Sequence, residues 1–220
     1  YKLTDQVSIQ AGAHRGWFMF EDLNDDWDFM GGIKWVAPED KSSIAWACNI
    51  GPQDPGLAAD WNGIPGDQNR FVYSLVVQHQ CTQKLRYVAV HNLGTEKNTP
   101  VNMGDTAEWY GINQYLLYKV NPRWAANLRF EILRDDDGVK VAGPGNYPAL
   151  SIAANDGFGY VGNFYALTCG VTWFPCANLR IRPELRWDSF DGPAGPVGLP
   201  FDSGDQDDQF TFATDAVITY

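Results

Sequence analysis

Apolar and polar residues alternate with a period of two along much of the chain, in runs separated by clusters of Gly, Pro, Asn and Asp. Successive side chains of a β-strand point to opposite faces, so this pattern predicts strands. Several runs reach about 10 to 13 residues, which suits a tilted membrane crossing better than a soluble domain. The ten predicted strands span residues 6–18, 27–37, 42–50, 69–80, 84–93, 107–120, 123–134, 163–174, 178–189 and 209–220.

The predicted strand 178–189 alternates most cleanly. Leu179, Ile181 and Leu185 fall on one face, and charged residues fill the other. Strand 123–134 repeats this arrangement, whereas strands 84–93 and 107–120 alternate poorly and their faces are not assigned. We expect the polar faces to line a water-filled lumen, either tuning which ions pass or forming a bracing ladder of ion pairs. The candidate pore-lining residues are Asn127, Arg129, Glu131, Arg180, Arg182, Glu184, Arg186 and Asp188.

The connections between the predicted strands alternate in length. Outer-membrane barrels have short turns on the periplasmic side and longer loops outside, an asymmetry that a soluble sandwich does not need. The connections therefore favour a transmembrane barrel. Tight turns are predicted at 38–41, 81–83, 121–123 and 175–177, and long segments at 19–26, 51–68, 94–106, 135–162 and 190–208.

Trp and Tyr residues cluster at the ends of the predicted strands. Such clustering is typical of the aromatic girdles at the two membrane interfaces. The last strand places Phe210, Phe212 and Ile218 on one face and ends at an aromatic residue, which resembles the signal read by the bacterial barrel-insertion machinery. The candidate interface aromatics are Trp17, Trp27, Trp35, Trp109, Tyr118, Trp124, Trp173, Trp187 and Tyr220.

Composition narrows the function classes. The 220 residues carry a formal net charge of −11, which argues against nucleic acid as a partner because phosphate contacts need clustered Lys and Arg. No run approaches the roughly 20 apolar residues of a membrane-spanning helix, so we expect any crossing to be made by strands. The sequence contains no recognisable catalytic motif. We therefore expect no enzyme activity and no cofactor.

Metal and disulfide chemistry are also disfavoured. Cys48, Cys81, Cys169 and Cys176 lack the spacing of a zinc site, and individually placed small residues are favoured over a disulfide framework. The acidic runs 135–138 and 202–208 could attract calcium, but neither fits a full calcium-binding loop. We interpret them as solvated acidic loops and expect no metal site.

Several segments of the chain carry a family resemblance, namely 2–7, 107–115, 121–126, 128–131, 134–138, 179–184 and 186–188. In these segments the chain resembles the putative β-barrel porin-2 family of bacterial outer-membrane proteins. The resemblance spans nearly the whole chain and implies an outer-membrane barrel that conducts solutes. Members are usually longer, and many end in Phe where this chain has Tyr220. The opening residues 1–5 look like a strand end followed by a periplasmic turn, so we expect N-terminal strands to be missing from this sequence.

We therefore predict a single all-β domain, residues 1–220, forming an antiparallel transmembrane β-barrel. Ten is an even number of strands and such a barrel could close alone, but the resemblance favours a complete barrel of roughly 16 to 18 strands. The expected function is a porin-like channel for passive diffusion of small hydrophilic solutes or ions, in contact with outer-membrane lipid, with a homo-oligomer left open. The acidic loops favour cations at the mouth and the Arg-rich wall favours anions deeper in, so selectivity also stays open. The rivals are a non-conducting structural or adhesive barrel, which binds partners through its long loops, and a soluble β protein.

Overall fold

The structure is a computed structural model that describes residues 1–16, 26–52, 69–97, 105–141, 159–195 and 198–219. It contains one sheet of ten antiparallel strands, each hydrogen-bonded to the next along the chain. The described residues include no helix long and apolar enough to cross a bilayer. The strands are β1 (Val7–His14), β2 (Asp28–Val36), β3 (Ser42–Pro52), β4 (Asn69–Gln80), β5 (Leu85–Lys97), β6 (Thr106–Asn121), β7 (Trp124–Asp135), β8 (Gly162–Cys176), β9 (Leu179–Asp191) and β10 (Asp208–Ile218), and a short 3-10 turn (Asp202–Gly204) precedes β10.

All ten predicted strands are confirmed, and the differences lie at their ends. The first strand stops at His14, and the last two positions predicted for it lie outside the described residues. Strand β5 continues to Lys97, beyond its predicted end at residue 93. Strands β4 to β9 are each at least 12 residues long, enough to cross a hydrocarbon layer at a tilt.

The alternation of short and long connections is also confirmed. Polar side chains stabilise the tight turns by accepting hydrogen bonds from backbone N–H groups of the turn. Asn121 Oδ1 accepts the N–H of Arg123 at 2.9 Å, and Thr82 Oγ1 accepts the N–H of Leu85 at 3.0 Å. One end of the sheet, hereafter the turn end, carries the short connections 37–41, 81–84, 122–123 and 177–178. The opposite end, hereafter the loop end, is where the longer connections leave the strands, after His14, Pro52, Lys97, Asp135 and Asp191.

The two faces of the sheet differ sharply. Among the described side chains that are buried, all except that of Tyr160 belong to strands and lie on one face, here called the inner face. The outer face carries most of the large apolar side chains, and many of them are exposed: Leu185 has 60% of its surface accessible and Phe212 67%. A soluble sheet would bury such residues against a second layer. This apolar surface requires an apolar surrounding.

Pairing also assigns the faces of β5 and β6, which the alternation could not. The outer face here includes polar side chains near the middle of the strands, and they bond to one another. Tyr73 Oη lies 3.1 Å from His91 Nδ1, and Tyr87 Oη donates to Gln114 Oε1 at 2.8 Å. Such pairing lowers the cost of placing polar groups in an apolar medium.

The sheet is open, and strands β1 and β10 do not pair with each other in the described chain. The far edge of β1 is not bare, because residues 1–3 fold back along it. The N–H of Ile9 donates to Tyr1 O at 2.9 Å, and the N–H of Leu3 donates to Val7 O at 2.9 Å. Residues 1–3 therefore pair with β1 through an isolated bridge at Lys2, and the chain bends between them, while the expectation that a preceding strand ends here stays a prediction.

Candidate functional site

A network of charged side chains occupies the middle of the inner face. Register places Arg129, Thr168 and Arg186 in one row across β7, β8 and β9, with Glu131 and Asp188 in the adjacent row. Arg186 Nη1 lies 2.8 Å from Glu131 Oε2, and its Nη2 lies 2.7 Å from Asp188 Oδ1. Arg129 Nη2 donates to Thr168 Oγ1 at 3.3 Å, while its Nε lies 3.0 Å from Glu131 Oε2 without hydrogen-bond geometry. These charges brace three strands at once.

Basic side chains dominate the inner face toward the turn end. Arg182 makes a bidentate ion pair with Asp215, at 2.8 and 2.6 Å. Arg86 and Lys119 lie on the same face and have no acidic partner within ion-pair distance among the described residues. Arg86 Nε donates only to the neutral amide of Gln80, at 3.3 Å. This end of the surface therefore carries cations that are not neutralised.

A fully buried carboxylate organises the loop end. Asp135, the last residue of β7, accepts four backbone N–H groups from the segment that follows it. Its Oδ1 bonds to Gly138 and Val139 at 2.8 and 3.2 Å, and its Oδ2 to Lys140 and Val141 at 2.7 and 2.9 Å. The acidic run 135–138 therefore uses its first carboxylate as an anchor for the loop backbone.

Residues 138–141 fold over the inner face. The Lys140 ammonium lies 5.4 Å from the ring centre of Trp109, and burial lowers the pKa of that ammonium below its ordinary value. Trp109 is 7% exposed and packs against the backbone of Gly94, where any Cβ would overlap the indole. Trp109 is therefore not an interface aromatic, and the prediction for it is wrong. An apolar residue is stable on this polar face because the loop covers it.

A second group of aromatic rings anchors the long connections to the same end. Tyr160 is buried between Phe164 and Phe190, with ring centres 6.5 and 5.5 Å away, and burial raises the pKa of its phenol. Its hydroxyl donates to Leu199 O at 3.0 Å, which joins the β7–β8 and β9–β10 connections. Beneath them lies a cavity of about 730 Å³ whose lining includes Glu131, Arg186 and Asp188.

The remaining interface candidates divide into three groups. Trp35, Tyr118, Trp124 and Trp173 lie on the outer face near the turn end, where Trp124 and Trp173 stack with ring centres 5.8 Å apart. Toward the loop end, Trp187 lies on the outer face, and its indole N–H donates to Asp208 Oδ2 at 3.0 Å. Trp27 is exposed, and the guanidinium carbon of Arg15 lies over its ring, 4.9 Å from the ring centre. Trp17 and Tyr220 lie outside the described residues.

All eight candidate pore-lining residues lie on the inner face, and their role in a pore stays a prediction. Sequence reasoning missed Arg86 and Lys119, because β5 and β6 carry apolar residues on both faces. It also missed Asp135 as a buried anchor, although the period of two along the strand places Asp135 on the same face as Arg129. The four cysteines are unpaired. The described residues contain no group of three His, Cys, Asp or Glu side chains placed to hold a metal.

Comparison with protein families gives one full-length match, to the family described as "Putative beta-barrel porin-2, OmpL-like", over residues 1–220. The chain belongs to the porin-2 family. A comparison with curated protein sequences gave no match. Among solved structures, the chain is similar to the outer membrane channel DcaP of Acinetobacter baumannii, with a TM-score of 0.63 and 12% identity. The similarity covers 98% of this chain and 60% of the DcaP chain.

Family and fold together explain the two faces. As a porin-2 family member, the chain is an antiparallel outer-membrane β-barrel protein of bacteria, and its single sheet is part of such a barrel. In this setting the exposed apolar face contacts lipid, as the outward band of an outer-membrane barrel does. Membership of a family of outer-membrane porins is inconsistent with a soluble β protein.

Proposed function

We propose that this porin-2 chain forms most of the wall of a water-filled channel, through which small hydrophilic solutes or ions diffuse passively. The observation that carries the proposal is the inner face, where charged and amide side chains gather while the opposite face stays apolar. Charged groups such as Arg129, Glu131 and Arg186 need water or paired partners, and a lumen supplies both. No chemical step is part of this function.

We propose that the barrel contains more strands than the ten described, because β1 and β10 are not paired with each other and an open sheet edge is not stable in hydrocarbon. Residues 1–3, which pair along the far edge of β1, support a further strand on that side. The chain also covers only 60% of the DcaP channel chain. We propose that further strands of the same protein join β1 to β10, and that β10 is the strand presented to the barrel-insertion machinery.

The second candidate is a non-conducting barrel that binds surface partners through its long loops. It is favoured by the segments around Val141, Tyr160 and Leu199, which pack over the inner face and narrow the loop end. This candidate differs from the channel in one respect that can be measured, namely whether a continuous water path crosses the barrel.

Planar-bilayer recording of the purified full-length protein separates the two candidates. We expect stepwise increases of current as single barrels insert, with ohmic behaviour at low voltage. The same preparation after heat denaturation serves as the control and should give no steps. Folded protein that inserts into vesicles yet never produces steps would contradict the channel and support the non-conducting barrel.

A further inference from the structure

Charge is segregated along the barrel axis on the inner face. A cavity of about 930 Å³ toward the turn end is lined by five basic and two acidic side chains. The cavity toward the loop end has the opposite balance, with Glu131 and Asp188 against Arg186. The two cavities lie on the same wall, so the wall becomes more positive from the loop end to the turn end.

The cations of the turn-end cavity differ in what they already bind. Arg182 forms an ion pair with Asp215, and Arg129 contacts Glu131 and Thr168. Arg86 and Lys119, which have no acidic partner in the described chain, lie on adjoining strands β5 and β6. The remaining acid, Glu184, is a single charge across the cavity. Lys84, the fifth basic residue, has no acidic partner among the described residues either, but its ammonium donates to Val120 O at 3.3 Å. Arg86 and Lys119 are therefore the two strand cations that are available to an incoming anion.

From this arrangement we propose that the turn-end cavity is a binding site for small oxyanions that carry two or more negative charges. This inference rests on the proposed channel function. The guanidinium of Arg86 presents paired N–H donors that match the oxygens of a carboxylate or phosphate, and the Lys119 ammonium adds a second charge. Low-dielectric walls strengthen the field between them. An anion in this cavity is attracted by Arg86 and Lys119. An anion that enters from the loop end is first repelled by the carboxylates of Glu131 and Asp188.

The inference predicts that block of the channel depends on the side of addition. In planar bilayers carrying the full-length protein in potassium chloride, citrate added at the turn end should block the current at a concentration several-fold lower than citrate added at the loop end. Inorganic phosphate should likewise block at a lower concentration from the turn end than from the loop end. Exposed Cys81 and Cys176, at two tight turns, mark the orientation through labelling with a membrane-impermeant thiol reagent.

The double variant Arg86→Gln with Lys119→Gln should weaken citrate block from the turn end by about tenfold, because it removes two cations of the cavity that no carboxylate neutralises. It should also shift the reversal potential in a potassium chloride gradient toward cation selectivity. The matched control, Lys2→Gln with Lys41→Gln, removes two cations near the same end that do not line the cavity. The control should keep wild-type block.

The outcomes distinguish this inference from the function on which it rests. A conducting wild-type channel with equal block from both sides, or equal effects of the two double variants, overturns the anion site and leaves the channel intact. Folded protein with no conductance overturns both. Side-dependent block in the wild type supports the site even where the Arg86 and Lys119 variant fails to fold.

Discussion

Replacing Leu185 with arginine is expected to lower the free energy of unfolding by about 2–4 kcal/mol. Leu185 lies at the middle of β9 on the outer face, is 60% exposed, and pairs with Cys169 and Phe212 on the same face. In the membrane this position contacts hydrocarbon, where a guanidinium loses its hydration and finds no acidic partner. Equilibrium urea unfolding of the full-length protein in phospholipid vesicles, followed by tryptophan fluorescence, measures the change.

The matched control is Ala213→Arg, which introduces the same side chain at nearly the same depth on the opposite face. Ala213 is exposed on the inner face and pairs with Glu184. An arginine there reaches water and a carboxylate, so its cost should stay below about 0.5 kcal/mol, as for an ordinary surface substitution. Equal losses for the two variants would contradict the assignment of the two faces, and a larger loss for Ala213→Arg would mean that the faces are reversed.

The second large effect is expected from Asp135→Ala. This change leaves the N–H groups of Gly138, Val139, Lys140 and Val141 without their carboxylate acceptor. Hydrogen bonds to a charged group contribute about 1.5–3 kcal/mol each, but water can replace part of this loss in a loop. We expect a local loss of about 3 kcal/mol, which corresponds to roughly hundredfold faster amide exchange. Hydrogen–deuterium exchange of the four amides measures it.

Two further variants sharpen this test. Asp135→Asn keeps one oxygen and should lose about half of the stabilisation, because its amide nitrogen cannot accept the second pair of N–H bonds. Asp136→Ala removes only a partly exposed ion pair with Arg134 and should cost less than about 1 kcal/mol. If the four amides exchange no faster in Asp135→Ala than in Asp136→Ala, the buried carboxylate is not the anchor of this loop.

The sequence predicted the strands because each face keeps one chemical character over most of the sheet. In β9 the apolar series from Leu179 to Trp187 lies on the outer face, and the series from Arg180 to Asp188 lies on the inner face, so the pattern and the fold agree. The tight turns were predictable for a local reason, since side chains such as those of Asn121 and Thr82 close them without distant partners.

Prediction failed where a distant segment changes the environment of a strand. Trp109 lies on the polar face because the loop anchored by Asp135 brings Lys140 over it, and no period in β6 records that contact. His91 and Gln114 lie on the apolar face because neighbouring tyrosines bond to them across strands. Both cases depend on contacts between different segments of the chain, and these contacts cannot be predicted from the alternation within one strand.

Thiol labelling along β9 tests the assignment of the two faces most directly. The four native cysteines would first be replaced by serine, and single cysteines would then be placed along the strand in the full-length protein in vesicles. A water-soluble maleimide should label positions 180, 182, 184 and 186, because their side chains face the aqueous interior. Positions 179, 181 and 185 should stay unlabelled, because lipid surrounds them. Labelling of the odd-numbered positions, or uniform labelling along the strand, would contradict a polar lumen enclosed by an apolar outer wall.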